Sequence, residues 1–105
     1  MGRVRGNLGQ PLVSIVIAAR NEEMWIETCL ESVLRDTCPK KEVIVVDDAS
    51  TDHTGEILRR FQITVIRNDK AVGPSSARNL GVKTAGGEIV VFVDAHSIVE
   101  DPEWL

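Results

Sequence analysis

Three stretches of the chain share one pattern: a short, β-branched, nearly continuous apolar run that stops at polar residues. They are "LVSIVIAA" at residues 12–19, "EVIVVDD" at 42–48 and "EIVVFVDA" at 88–95. Runs without polar–apolar alternation indicate strands covered on both faces, as in a parallel sheet lying between helices. A fourth, weaker run, "ITVIR" at 63–67, has the character of an edge strand.

Helical patterns fill the gaps. In "NEEMWIETCLESVLRD" (21–36), Asn21 is placed to cap a first turn carrying Glu22 and Glu23, where the helix dipole favours negative charge. Ile26, Leu30, Val33 and Leu34 then share a face. In "STDHTGEILRRF" (50–61), Ser50 or Asp52 can cap, and Ile57, Leu58 and Phe61 supply the apolar side. In "GPSSARNLGVKTAGG" (73–87), Pro74 suits a first helical position and Gly86 or Gly87 a stop. Ala77, Gly81 and Ala85 form a small-residue stripe that lets this helix come close to a sheet.

The order β-α-β-α-β-α-β, with crossovers long enough for right-handed parallel connections, predicts an α/β fold. The expected form is a Rossmann-like, three-layer α/β/α arrangement with a mostly parallel sheet. Residues 1–11 read as a flexible tail and 12–105 as one domain, truncated after the fourth strand, because a doubly wound sheet normally continues.

Composition narrows the function. Lys and Arg number 12 against 16 Asp and Glu, a formal net charge of -4, which argues against a broad nucleic-acid-binding surface. Any polyphosphate must therefore be held by a few placed cations and a metal. No apolar run approaches the ~20 residues of a membrane-spanning helix, and the basic, Gly-rich start is no secretory signal. Cys29 and Cys38 match no zinc spacing, and Cys29 falls on an apolar helix side. A reduced, cytoplasmic setting fits, with membrane association if the full-length protein continues.

Candidate chemistry gathers where the strands end. In open parallel sheets, ligands bind beyond the carboxyl ends of the strands. Arg20 and Asn21 follow the first strand, Asp47 and Asp48 the second, and Asp94 and His96 the fourth. Three of four strands ending in such groups is more than capping requires. Asp94 and His96, two apart in extended chain, would point the same way with Ala95 opposite. So placed, they can share a divalent cation, although the tripeptide alone favours the simpler reading of a soluble strand end. One of Asp47 and Asp48 suits capping with Ser50. The other suits hydrogen-bond donors of a ribose or nucleobase. Arg20 and Arg78 can face phosphates, Arg78 from the first turns of a helix, where a solvated surface role is as consistent. His53 reads as a solvated loop residue, and Trp25 and Trp104 as packing groups.

Taken in order and spacing, "SIVIAARNEE", "EVIVVDDASTDHT" and "GPSSARNLGVKTAGGEIVVFVDAH" resemble the amino-terminal half of family-two glycosyltransferases of the GT-A fold. The resemblance covers residues 12 to 105 and implies a domain that binds a nucleotide-diphosphate sugar, UDP- or GDP-linked, with Mn²⁺ or Mg²⁺. It implies that the loop of Ala18, Ala19, Arg20, Asn21 and Glu22 lines a nucleoside pocket and that Asp48 contacts the base, with Asp47 beside it. It implies that Gly73 and Arg78 lie near the donor, and that Asp94 and His96 hold ribose and the metal that bridges the phosphates.

This chain has D-x-H where the family has D-x-D, a choice resembling transferases that make peptide-linked N-acetylgalactosamine. The family's acceptor half and catalytic base lie beyond the matched region. The expectation is thus a donor-binding portion, inactive alone, with an unknown acceptor and inversion favoured. Two alternatives stand beside it: a receiver-like, Mg²⁺-dependent phospho-accepting domain built on Asp47, Asp48 and Asp94, and an inactive nucleotide-binding module. Dinucleotide binding is disfavoured because "AARNEE" has no glycines to admit a pyrophosphate.

Overall fold

A computed structural model describes residues 11–35 and 38–100. Most of the expected tail, residues 1–10, lies outside the described residues, as does Trp104.

The strands are β1 (Val13–Ala19), β2 (Lys41–Asp48), β3 (Thr64–Asn68) and β4 (Ile89–Phe92). The helices are α1 (Ile26–Leu34), α2 (Thr54–Leu58) and α3 (Pro74–Thr84). Every strand pairing is parallel and the order across the sheet is β3-β2-β1-β4. The element order and edge position of β3 therefore agree with the sequence pattern.

Side chains along β1 divide between the two faces. Val13, Ile15, Ile17 and Ala19 enter one apolar cluster with Val43 and Val45 of β2, Ile26, Cys29, Leu30 and Val33 of α1, and Ile57 and Leu58 of α2. Burying each large aliphatic side chain is worth about 1.5–3 kcal/mol, so this layer carries most of the stability. Val16 faces the other way, onto α3, where a Cβ added to Gly81 would overlap its Cγ1 atom. Ala77 of the same stripe is fully buried. Small residues thus let α3 lie close against the sheet, and α1 and α2 on the opposite face complete three layers.

At the amino-terminal end of the sheet the turn from α3 to β4 is tied down by side chains. Glu42 Oε2 accepts the Ser14 hydroxyl at 2.5 Å and the Gly86 N–H at 2.6 Å, and Ser14 Oγ accepts the Gly87 N–H at 2.9 Å. The Ser14 and Gly86 donors hold the Glu42 carboxyl below its ordinary pKa. A side chain at Gly87 would meet Ser14 Oγ at 2.5 Å and Leu12 O at 2.7 Å, so only glycine fits.

Three local expectations need correction. First, α1 begins at Ile26, with Trp25 at its cap position, and Asn21 does not cap it. Residues 22–25 form a turn in which Glu22 O accepts the N–H groups of both Trp25 (3.0 Å) and Ile26 (2.8 Å). Second, β4 stops at Phe92, so Asp94 and His96 are not in extended chain. They lie in a turn closed by the Ser97 N–H on Asp94 O at 3.0 Å. As an edge strand β4 is also not covered on both faces, and Ile89 and Phe92 are about half exposed. Third, Trp25 is 49% exposed and is not a core packing group.

Candidate functional site

The chain winds from β1 outward through β2 to β3, then returns to the far side of β1 as β4. The loops after β1 and β4 must therefore part, and a crevice opens at the carboxyl ends of these strands. It is a cavity of about 350 Å³, with walls from the β1–α1 loop, the end of β2, the start of α3 and the turn after β4.

The β1–α1 loop is held in place by the β2–α2 loop. Three successive N–H groups donate across the gap: Asn21 to Ser50 Oγ (3.0 Å), Glu22 to Thr54 Oγ1 (2.9 Å) and Glu23 to Asp52 Oδ2 (3.2 Å). Asn21 Oδ1 answers by accepting the N–H groups of Thr51 (2.7 Å) and Asp52 (3.3 Å). Asn21 reaches these groups from a left-handed conformation, φ 55°, which asparagine tolerates better than most residues. Asp52 also accepts the Thr54 N–H at 2.9 Å. Burial raises the Asp52 carboxyl, but its donors, Thr54 foremost, outweigh burial and hold its pKa below the usual carboxylate value. The exposed His53 imidazole pairs with Glu23 at 3.2 Å, and this hydrogen bond, with Glu56 nearby, raises its pKa.

Asp47 and Asp48 do different work. Asp47 is 1% exposed and lies outside the cavity wall. Arg67 of β3, its register partner, donates to Asp47 Oδ2 at 2.7 Å, and the Ser50 N–H donates to Oδ1 at 3.1 Å. Arg67 Nη2 also reaches Ser50 O at 3.1 Å, so the pair fixes the β2–α2 loop. Asp48 does line the cavity. Its oxygens accept Asn68 Nδ2 (2.9 Å), the Val72 N–H (2.9 Å) and the Gly73 N–H (2.9 Å). Burial pushes its pKa up, but these three donors and the Arg20 charge outweigh burial and keep the carboxyl below its ordinary value. Asp48 is an anion at neutral pH, and it shapes the β3–α3 loop that carries Gly73, itself at φ 94°.

The turn after β4 is fastened to α1. The Cys29 thiol donates to Asp94 O at 3.5 Å, Ser32 Oγ accepts the Val99 N–H at 2.9 Å, and Arg35 Nη2 donates to Val99 O at 2.6 Å. Ala95 is buried in the core cluster, so the flanking Asp94 and His96 are left at the cavity. Asp94 and His96 thus meet the cavity from a turn anchored on α1 and not from extended chain, and Ala95 between them also borders it. Arg78 Nη2 lies 3.9 Å from Asp94 Oδ1, and His96 Nδ1 lies 3.5 Å from Glu22 Oε2.

Among the sequence-predicted residues, Ala18, Ala19, Arg20, Glu22, Asp48, Gly73, Arg78, Asp94 and His96 all line this one cavity, and Asn21 and Asp47 do not. Ala71, Pro74, Ala77 and Ala95 also line it and were not foreseen. Small apolar side chains carry no chemical signal, and their positions depend on the path of the loops. Arg67 and Thr54 were missed as well. The only cue for Arg67 was a lone cation closing an edge strand beside an acid-ended one.

The match to known proteins is extensive. Residues 14–105 match the family model described as Glycosyl transferase family 2. The chain is 34% identical over 95 residues to Glycosyltransferase GlyG of Streptococcus pneumoniae, an alignment spanning 86% of this chain and 32% of that protein. Among solved structures it is similar to the mannosyltransferase PcManGT of Pyrobaculum calidifontis in complex with GDP-Man and Mn²⁺. There the identity is 32%, the TM-score 0.84, and the overlap covers 89% of this chain and 30% of that one. It is also similar to S. aureus TarS 1-349 in complex with UDP, at 35% identity and TM-score 0.76, over 81% of this chain and 27% of that one. The chain thus spans about a third or less of the length of these relatives. A family match over nearly all of the chain, on a parallel α/β fold like that of the similar structures, sets aside the receiver-like alternative: the chain belongs to glycosyltransferase family 2.

Proposed function

We propose that the cavity binds a nucleotide-diphosphate sugar, UDP- or GDP-linked, for transfer of the sugar to an acceptor. The observation that carries this reading is the convergence of two guanidinium groups, Arg20 and Arg78, with Asp94 and His96 around one crevice. Arg20 and Arg78 supply positive charge for a diphosphate, and Asp48 supplies a fixed anion for the hydrogen-bond donors of a nucleoside. The complexes of the two similar structures, with GDP-Man and Mn²⁺ and with UDP, support the choice of ligand class.

Asp94 and His96 are the residues that would hold a divalent cation. The described residues contain no group of three or more His, Cys, Asp or Glu side chains placed to hold a metal ion. Two protein donors with substrate phosphates completing the shell is a common arrangement for such cations. Carboxylate oxygen suits Mg²⁺ and Mn²⁺ alike, and the imidazole nitrogen favours the transition metal. When bound, the cation neutralises charge on the departing diphosphate.

No helix among the described residues is long and apolar enough to cross a membrane. A cytoplasmic setting, where Cys29 and Cys38 would stay reduced, belongs to the same proposal.

Titration calorimetry with UDP and GDP, each with and without Mn²⁺, tests this function. One of the two is expected to bind, more tightly with the metal, and Asp94→Ala or His96→Ala is expected to abolish the metal dependence. Equal, weak heats from both nucleotides and an adenosine diphosphate control, unaffected by Mn²⁺, would overturn it.

A further inference from the structure

Glu22 has a place in the cavity that neither capping nor loop formation requires. Its backbone does the loop work: its N–H donates to Thr54 Oγ1 at 2.9 Å, and its carbonyl accepts from Trp25 and Ile26. The side chain is left to point elsewhere. It is 24% exposed, lines the cavity and brings Oε2 to 3.5 Å from His96 Nδ1. No other carboxylate is paired with that ring among the described residues.

The two partners come from loops at opposite ends of the chain, and each is clamped independently. The Glu22 loop is tied to the β2–α2 loop through residues 50–54. The His96 turn is tied to α1 through Cys29, and Ala95 is held in the core. The fold therefore brings the two side chains within reach of each other from backbones that are held by separate sets of bonds.

We infer that Glu22 is a positioning residue for His96. It accepts a hydrogen bond from Nδ1–H, which leaves Nε2 as the unprotonated nitrogen and turns it toward the cavity. Imidazoles that bind metals generally donate their other ring N–H to a carboxylate or carbonyl, which fixes tautomer and orientation. The 3.5 Å separation lies at the outer limit of hydrogen-bond distance. The inference rests on the reading of His96 as a cation-holding residue proposed above. Glu22 is not itself assigned as a ligand, consistent with the lack of a three-donor group among the described residues.

The test begins without metal or nucleotide. Long-range ¹H–¹⁵N spectra of the full chain, in alkaline buffer where histidine rings are neutral, report the tautomer of each of the 2 histidines. His96→Ala assigns the signals. The wild-type His96 ring is expected as the Nδ1–H tautomer, reverting toward the Nε2–H form in Glu22→Ala and retained in large part in Glu22→Gln, whose amide oxygen still accepts. Because the loop bonds of Glu22 are made by backbone atoms, both variants are expected to fold, and the dispersion of the amide spectrum checks this. An Nε2–H tautomer in the wild type, or one unchanged by Glu22→Ala, would overturn the inference. Mn²⁺ titration followed by electron paramagnetic resonance is the second arm, with an expected affinity loss of roughly 10–100-fold in Glu22→Ala. A wild-type chain that binds no Mn²⁺ but shows the tautomer switch defeats the metal reading alone. A switch absent from a chain that does bind Mn²⁺ defeats the role of Glu22 alone.

Discussion

Asn21 Oδ1 accepts the Thr51 N–H at 2.7 Å, across 30 residues of chain. This bond makes the loops after β1 and β2 one unit, and it turns a residue expected to touch nucleoside into part of the frame behind the cavity wall. Replacing Asn21 has an unusual signature. Asn21→Ala loses the acceptor and places a Cβ-bearing residue without a local partner at φ 55°, for a cost of roughly 2 kcal/mol. Asn21→Gly loses the acceptor but adopts that φ freely, and is expected to cost roughly half as much. Urea midpoints at unchanged slope check both costs, and an Asn21→Gly chain as stable as the wild type would show that the side-chain bonds contribute nothing.

Gly81 tests how closely α3 lies on the sheet. Alanine in a helix is worth about 1 kcal/mol more than glycine, but the added methyl would overlap Val16. Overpacking costs about 1–3 kcal/mol, so Gly81→Ala is expected to lower the melting temperature. Combining it with Val16→Ala should cost less than the sum of the two single changes, because the second makes room for the first.

Arg67→Ala leaves the Asp47 carboxylate, 1% exposed, with the Ser50 N–H but without its charged partner. A buried acceptor deprived of a donor costs about 1–3 kcal/mol. The double change Asp47→Ala with Arg67→Ala is expected to be milder than additive, as measured by a double-mutant cycle in denaturant. Strict additivity would show that the pair is not coupled.

Acid stability follows from Asp48 and Asp52, whose folded pKa values both lie below the ordinary value of 3.8. As pH falls, the unfolded chain takes up protons at these positions before the folded one does. Their contribution is therefore complete above the unfolded pKa and is lost as pH falls through the folded values. Unfolding free energies between pH 6 and pH 3 (roughly the range spanning the Asp and Glu values) should be flat at first and then decline. Asp48→Asn should shallow that decline.

Cys29 has the opposite sign at the other end of the scale. Burial, the largest influence, pushes its thiol up to about 11. The unfolded chain loses this proton first as pH rises, so the contribution is complete below the unfolded thiol value, about 8.5, and is lost on the way to the folded one. At neutral pH the folded thiol should resist a disulfide reagent that Cys38, less buried, accepts. Modification of both at similar rates in the folded chain would contradict this.

Much of the fold was legible because the physics behind it is local. β1 and β2 are buried on both faces, so their runs are apolar throughout and end where the backbone meets the cavity. Pro74 and the Ala77–Gly81 stripe announced α3 and its close approach. The cavity residues were legible as a set because the topology sends every strand's carboxyl end to one side. Cross-loop bonding was not. Asn21 looks like a helix cap in sequence, and only the distance to Thr51 shows that its acceptor serves another loop. Asp94-Ala95-His96 looked like the last residues of a strand, because an apolar run does not show where strand pairing stops. Arg67 and Asp47 are register partners on adjacent strands, a relation that no periodicity along the chain encodes.

The bond from the Cys29 thiol to Asp94 O joins residues 65 apart in sequence, and it bears on how the molecule comes together. Long-range closures of this kind slow folding and come after local ones. The bonds that interlock the loops after β1 and β2 involve no residue of β4, whereas the Asp94–His96 wall needs β4 beside β1. The half of the crevice proposed for the nucleoside is therefore expected to form before the half proposed for the cation, an order that hydrogen exchange at β2 and β4 checks.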